Sequence, residues 1–461
     1  MNFKGKKIGI LGLGGENVAM VKFLASYGGE ITICDRAEGE EAISSYTKQL
    51  SGVNYQLRLG PAYLDNLKDF DIVFRTPGLP YLNEKIQEAK ESGVEISSQT
   101  KLFFDLCPSP IIGVTGTKGK GTTTSLIGEI LNKSVNAQGS STFINRVYVA
   151  GNIGRAPIEF VQELTKDDVV VLELSSFQLQ DLHKSPHIGV VLDIKSDHLD
   201  VHKDHDEYVL AKTAIVKYQT KNDFAVVNAD YSVSTDFALK TPAEVFWFSR
   251  KRSVDQGIFV ENENLLLRIE GKNHLIANKK EITLRGDHNL ENIAAASIAA
   301  YLSGVGIDTI RSVVKKFKGL EHRLEFVAQI GGVKYYNDSF STTPDTAIAA
   351  INAFSEPVIL IAGGSEKNAD YSELGEEISK NVKTVILIGQ TGPRIKKEIK
   401  NTSLKIIDDL SNLREVMQAV KKEAKKGDIV LLSPASASFD WFVNYKDRGL
   451  QFKKLVLKET S

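Results

Sequence analysis

The residues best equipped for chemistry lie between Ile111 and Ser125, in the stretch IIGVTGTKGKGTTTS. Ile111 to Val114 reads as a buried parallel strand. It breaks at Gly116, Gly119 and Gly121 and resumes as a helix through Thr122, Leu126, Ile127, Ile130 and Leu131. A strand, a glycine loop and a helix N-terminus gather backbone N–H groups and the positive helix end around one point, which suits a phosphate. Gly116, Thr117, Lys118, Gly119, Lys120 and Gly121 form that loop, with Lys120 the compact charge for the outer phosphates of a nucleotide-type ligand. Thr122 or Thr123 supplies a hydroxyl for Mg²⁺. The common P-loop spacing needs a glycine where Val114 stands, so the same parts occur in a shifted arrangement. The plain alternative, a turn that binds nothing, leaves two lysines among three close glycines without a role.

Metal-ligand candidates follow. A strand from Asp168 to Leu174 carries Glu173 inside VVVLEL, where a carboxylate is costly unless paired or holding a metal. The next strand, Ile188 to Ile194, runs into Asp197 and His198. In a parallel sheet both strands deliver these groups beside the phosphate loop. His202 and His205 read as a solvated face. Lys212, in a helix spanning Glu207 to Tyr218, reads as an ordinary solvated lysine on composition alone. Asn289 and Asn292 share a face near the start of an alanine-rich helix, Ile293 to Leu302, and can reach a base or ribose.

The elements that position these groups imply an α/β chain of three domains. At 461 residues the chain is long for one core. Residues 1–107 open with a strand (Lys7 to Leu11), the turn Gly12–Asn17, a helix to Tyr27, and a strand (Ile31 to Cys34) ending at Asp35. That is a Rossmann-like layout whose third fingerprint glycine is replaced by Asn17. Asp71 to Arg75 is a further strand, ending in the turn Thr76-Pro77-Gly78. Residues 108–319 form a central P-loop ATPase-type α/β domain, with 224 to 285 strand-rich and less regular. Residues 320–461 alternate strands and helices again, as a second Rossmann-like unit. Its strand ends carry Asp338-Ser339, Gly363-Gly364 with Lys367, and Ser433 to Ser438. Net charge is −1 and charged residues are 25%, which gives no reason to expect nucleic acid or an acidic membrane as partner. Two distant cysteines argue against a disulfide framework and fit a reducing cytoplasm. No apolar run approaches the ~20 residues of a membrane span.

Taken together, Gly116 to Thr124, GNIG at 151–154, LELSSFQL, SDHLD, Lys212, DHNLEN, Glu321-His322-Arg323, YNDS at 336–339 and LLSPASASFD resemble the Mur ligase family over essentially the whole chain. The resemblance implies a UDP-substrate domain, an ATPase domain and an amino-acid domain. It also implies a monomeric cytoplasmic enzyme of peptidoglycan synthesis, and hence of cell-wall biogenesis, cell shape and division. By position it puts Lys120 on the ATP phosphates, and makes Thr122, Glu173 and His198 magnesium ligands. Lys212 matches the family's lysine carbamylated by CO₂. Asn292, Arg323 and Asp338 match the adenosine side of ATP. Asn152 and His198 match contacts to the muramoyl substrate, Asp35 and Arg36 the uridine end, and Gly14, Gly15 and Thr76 the rest of that site. Thr342, Lys367, Ser438 and Tyr445 match the positions that hold the amino acid.

Three departures stand out. Phe340 occupies the lysine of the family's acidic-serine-lysine run, Gly121 the Ser or Thr after the loop lysine, and Tyr445 a common phenylalanine. The implied reaction is ATP-dependent addition of glutamate, expected as the D-enantiomer, to UDP-N-acetylmuramoyl-L-alanine through an acyl phosphate. His198 or a carboxylate accepts the amine's proton. The rivals are the L-glutamate variant and a folylpolyglutamate synthase-like ligase, which would not need residues 1–35. A dinucleotide-dependent dehydrogenase leaves the glycine–lysine loop without work, and a non-catalytic nucleotide-binding protein would bind ATP without substrate-dependent phosphate release.

Overall fold

The computed structural model describes residues 3–135, 144–151, 155–195, 202–284, 286–366 and 369–458. The chain divides into two compact units, Met1–Glu281 with Leu290–Lys315, and Ile282–Asn289 with Lys316–Ser461. The first unit holds two sheets and the second holds one.

Sheet one joins β1 (Lys7–Leu11), β2 (Glu30–Asp35), β3 (Gln56–Leu59), β4 (Ile72–Arg75) and β5 (Glu95–Ser98) in the order β3-β2-β1-β4-β5, every pair parallel. The order reverses direction between β1 and β4. The crevice at the carboxyl ends of these two strands is where open α/β sheets receive ligands. Asp35, expected just past the second strand, is its last residue.

Sheet two contains β6 (Ile111–Thr115), β7 (Val147–Gly151), β8 (Val169–Glu173), β9 (Ile188–Val191), β10 (Phe224–Asn228), β11 (Glu244–Ser249), β12 (Gly257–Glu261), β13 (Asn264–Ile269) and β14 (Lys272–Asn278), in the order β14-β13-β12-β11-β10-β9-β6-β8-β7. It is parallel from β12 to β7, and β12 to β14 pair antiparallel. The stretch expected to be irregular is therefore five strands that extend the ATPase-type sheet. β6 lies between β9 and β8. Its burial on both faces, like that of β8, explains the unbroken apolar runs that gave both strands away. One apolar core runs through both sheets, from Ile8 and Phe74 to Leu172 and Phe237.

Sheet three, in the second unit, has the order β15-β16-β20-β17-β18-β19: β15 (Glu325–Ile330), β16 (Val333–Asn337), β17 (Val358–Gly363), β18 (Val382–Ile388), β19 (Lys405–Ile407) and β20 (Ile429–Leu432). Only β15 is antiparallel to its neighbour.

Two local expectations change. The strand expected to reach Ile194 ends at Val191, because the chain leaves the ladder to lie against the glycine loop, where Asp193 O accepts the Thr117 N–H at 2.7 Å. The helix expected over 207–218 is two helices, His205–Lys212 and Ala214–Lys217. Between them Thr213 donates its hydroxyl to Leu210 O (2.7 Å), a local bond of the kind that bends helices.

Candidate active site

The glycine loop sits where the sequence put it, between β6 and the helix Lys120–Val135. Gly119 has φ +85, and a Cβ there would come within 2.2 Å of Asn292 Oδ1. Only glycine tolerates both conditions. Thr123 is buried and donates to the same Asn292 Oδ1 at 3.3 Å. Asn292 thus stands directly behind the loop and engages the Thr123 hydroxyl, while Thr122, also buried, lies one residue closer to the loop. Lys120 folds back in this structure, its Nζ donating to Gly116 O (3.0 Å) and Thr117 O (2.9 Å). Lys118 is exposed.

Glu173 closes β8 in register with Val114 and is buried. Lys212 is also buried, which replaces the expected solvated lysine. Its Nζ lies 3.4 Å from Thr115 Oγ1 and 3.3 Å from Gly116 O, over the Tyr208 ring. Thr115 in turn donates to Leu174 O at 2.9 Å. The structure therefore brings the loop, the end of β8 and Lys212 to one place. These are an oxygen donor set and a primary amine that a carbamate would turn into an oxygen ligand, and oxygen ligands suit Mg²⁺. Asn152, His198 and Lys367 lie outside the described residues.

At the β1/β4 crevice, Asp35 organises the glycine turn: Oδ2 accepts Leu13 N (2.7 Å) and Oδ1 accepts Ala37 N (2.9 Å). Asn17 is buried and donates to Gly12 O at 2.6 Å, which accounts for the missing third glycine. Gly12 faces Thr76, whose Cγ2 would be 3.1 Å from a Cβ there. Gly14 is half-buried, and Gly15 and Arg36 are exposed.

Two buried groups in this unit escaped the sequence reading. Arg75, at the end of β4, donates to Leu79 O and to Phe177 O, each at 2.8 Å, and lies 3.6 Å from Asp181. It ties the Thr76 turn to the segment following Glu173. A guanidinium ending an otherwise apolar strand was the available signal. His202 is buried rather than solvated, with Nδ1 2.5 Å from Glu207 Oε2, Nε2 2.9 Å from Ser176 Oγ, and its ring stacked on Phe177. It braces the helix that carries Lys212.

The second unit gathers Asp338, Thr342, Ser438 and Tyr445 near the ends of β16 and β20. Asp338 is buried and accepts from Leu324 N (3.0 Å), Ser341 Oγ (2.5 Å) and Ser433 Oγ (2.8 Å). Burial pushes its carboxyl up to about 6, against the pull of those hydrogen bonds and of Arg323. The unusual Phe340 is an aromatic platform: the Arg323 guanidinium lies 3.7 Å from its ring centroid, and Tyr445 meets it edge-on at 5.2 Å. Ser438 is buried and Thr342 half-buried. Glu321, His322 and Glu325 cluster nearby, with the Lys453 ammonium bonded to both glutamates.

A glycine loop backed by a buried carboxylate and a buried lysine, in a chain with three α/β sheets, defines a class. Family models match along the chain: the Mur ligase MurD-like N-terminal domain over residues 6–98, the Mur ligase middle domain over 114–300, and the Mur ligase glutamate ligase domain over 322–436. The chain belongs to the Mur ligase family, and the expected three-domain α/β fold is borne out.

Among particular relatives it is 41% identical to the UDP-N-acetylmuramoylalanine–D-glutamate ligase of Acetivibrio thermocellus, across 98% of this chain and 96% of that one. It is 41% identical to the ligase of the same name from Symbiobacterium thermophilum, across 98% of each. In fold it is similar to the UDP-N-acetylmuramate–alanine ligase of Thermotoga maritima (TM-score 0.59, 17% identity, 98% of this chain and 99% of that one). The ligase MurF of the same organism, solved with ADP, is also similar (TM-score 0.56, 16% identity, 100% and 97%).

Proposed function

We propose that this chain is an ATP-dependent ligase that joins D-glutamate to UDP-N-acetylmuramoyl-L-alanine, in cytoplasmic synthesis of the peptidoglycan precursor, and that it works as a monomer. The observation that carries this reading is full-length similarity at 41% identity to ligases of that name. Residues 1–107 take the UDP-substrate, 108–319 take ATP, and 320–461 take the amino acid.

Joining a carboxylate to an amine in water is uphill, so the carboxylate is first activated. Its oxygen bonds to the γ-phosphorus of ATP and ADP leaves; the amine then attacks the acyl phosphate and inorganic phosphate leaves. The protein's part is positioning and charge neutralisation. Lys120 turns from the loop carbonyls to the outer phosphates, and the loop N–H groups hold the remainder. Thr122, Glu173, the carbamate of Lys212 and, by resemblance, His198 hold Mg²⁺, which neutralises phosphate charge when bound. A buried primary amine beside a hydroxyl and a carbonyl supports the carbamate at Lys212. Asp35 and Arg36 with Gly14, Gly15 and Thr76 receive the uridine end, and Asn152 the muramoyl part. Asn292, Arg323 and Asp338 serve the adenosine side, and Thr342, Lys367, Ser438 and Tyr445 serve glutamate.

The test is phosphate release from ATP with UDP-N-acetylmuramoyl-L-alanine and a panel of D- and L-amino acids. Signal only with that nucleotide and D-glutamate is expected. Release with L-glutamate alone, or no dependence on the nucleotide, overturns the reading. In the same assay Lys212→Ala should lose about 10–100-fold in turnover, the scale of a metal ligand's positioning partner, and recover part of it with acetate or formate. Undiminished turnover without the added acid removes Lys212 from the site.

A further inference from the structure

The second unit contains a guanidinium whose every partner is an uncharged oxygen. Arg448, in the helix Tyr445–Leu457, is completely buried. Nε donates to Ser339 Oγ (2.9 Å), Nη1 to Ser436 O and Ala437 O (3.1 Å each), and Nη2 to Ser339 O (2.9 Å) and Ser436 O (3.1 Å). All five N–H donors of the fork are engaged. Burial draws the group's pKa down to about 10, against the opposing influence of Asp440 and Asp338.

Burying a cation without an adjacent anion is expensive, so its location matters. The bonds reach the loops that follow β16 and β20, and Nη1 lies 3.2 Å from where a Cβ would stand on Gly364, just past β17. These three strands are neighbours in the sheet. One planar side chain therefore floors three adjacent strand ends. The loops are further laced by Gly363 N to Pro434 O (2.8 Å), Ser365 N to Ala437 O (2.9 Å) and Ala435 N to Ser341 O (2.9 Å). Ser438 directly follows the residues that Arg448 holds, and Thr342 follows the β16 loop.

We propose that Arg448 is a positioning residue for the incoming acidic amino acid. Its fork fixes the spacing of the β16 and β20 loops, and its charge, with no carboxylate on it, biases those loops toward an anionic ligand. The proposal rests on the ligase reading above. A neutral fork-shaped network would hold the loops equally well but would supply no field.

Two variants separate fork from charge. Arg448→Lys keeps the charge and loses the planar fork, and Arg448→Met loses both at similar length. With the phosphate-release assay, the KM for glutamate should rise about tenfold in R448K and roughly a further tenfold in R448M, the scale of lost charge-assisted bonds. The KM for ATP should stay within about twofold. Hydrogen exchange should quicken in peptides covering 433–441 of R448K while β17 and β18 keep their protection. A glutamate KM that stays unchanged, or that rises only in step with the KM for ATP, overturns the proposal, as does unaltered exchange at 433–441. If the wild-type chain uses no glutamate, the ligase reading fails and the specificity claim fails with it. The exchange measurement then still decides whether Arg448 positions these loops.

Discussion

The glycine loop of the first unit and the strand-end cluster of the second both lie at the carboxyl ends of parallel strands, yet they are held in opposite ways. The loop is shaped by what is missing. Gly119 has no side chain, so the backbone takes a positive φ and Asn292 closes in behind it. Its donors are main-chain N–H groups, which carry no charge that needs burying. The cluster is shaped by what is added: a buried carboxylate, Asp338, and a buried guanidinium, Arg448, each satisfied by hydroxyls and carbonyls of the surrounding loops. The first design fixes geometry through backbone freedom, and the second through buried charges whose removal leaves their partners unsatisfied. The first is therefore sensitive to added bulk and the second to changes of charge state.

Three experiments probe that contrast, the largest effect first. Lys120→Ala should lower turnover about 10²–10³-fold, the usual scale for one missing electrostatic donor, while the melting temperature stays put. Turnover within about tenfold of wild type would take Lys120 off the phosphates. Gly119→Ala should weaken ATP binding by about 2–3 kcal/mol through clash and strained φ. Adding Asn292→Ala should return at most part of this relative to Asn292→Ala alone, the proper reference because Asn292 also serves ATP, since the φ +85 strain persists. Full recovery would mean that bulk alone matters.

The smallest effect is a pH dependence. The Asp338 carboxyl sits near 6 in the fold against an ordinary 3.8, so the folded chain binds the proton more tightly than the unfolded chain. This group's contribution to stability therefore grows as pH falls from about 6 toward about 4, and its ionisation is a penalty at pH 7. Asp338→Asn, whose amide Ser341 and Ser433 can meet by turning their hydroxyls, should flatten that ramp by on the order of 1–3 kcal/mol. Urea titrations at pH 4, 5, 6 and 7 measure it. Parallel curves for wild type and variant would rule the buried charge out.

What could be read in the sequence follows the same division. β6, β9, β17 and β20 announced themselves because strands buried on both faces are apolar along almost their whole length. β15 did not, since Glu325–Ile330 is an antiparallel edge strand of mostly half-buried residues. The glycine loop was legible because its constraints are local. Arg75, His202 and Arg448 were harder to read, because each pairs a neighbour in sequence with a partner far along the chain, 102, 26 and 109 residues away, that local sequence does not reveal. Lys212 could be placed by resemblance, while its own helix shows no sign that it faces the loop. Phe340, an unexplained departure in the sequence, is in the structure the face on which Arg323 lies.

The loop's dependence on Asn292 also has a consequence in time. The two sides of the Thr123–Asn292 bond are separated by 169 residues of chain. At a synthesis rate of ~5–20 residues per second, the rear wall of the glycine loop emerges roughly 10–30 s after its front. During that interval the growing chain carries a glycine loop backed by Leu192 but not yet by Asn292, so on the ligase reading a nucleotide makes a poor early template for this unit. ATP should leave co-translational folding of the first 250 or so residues unaffected and stabilise the chain only after the helix Asp287–Leu302 has docked.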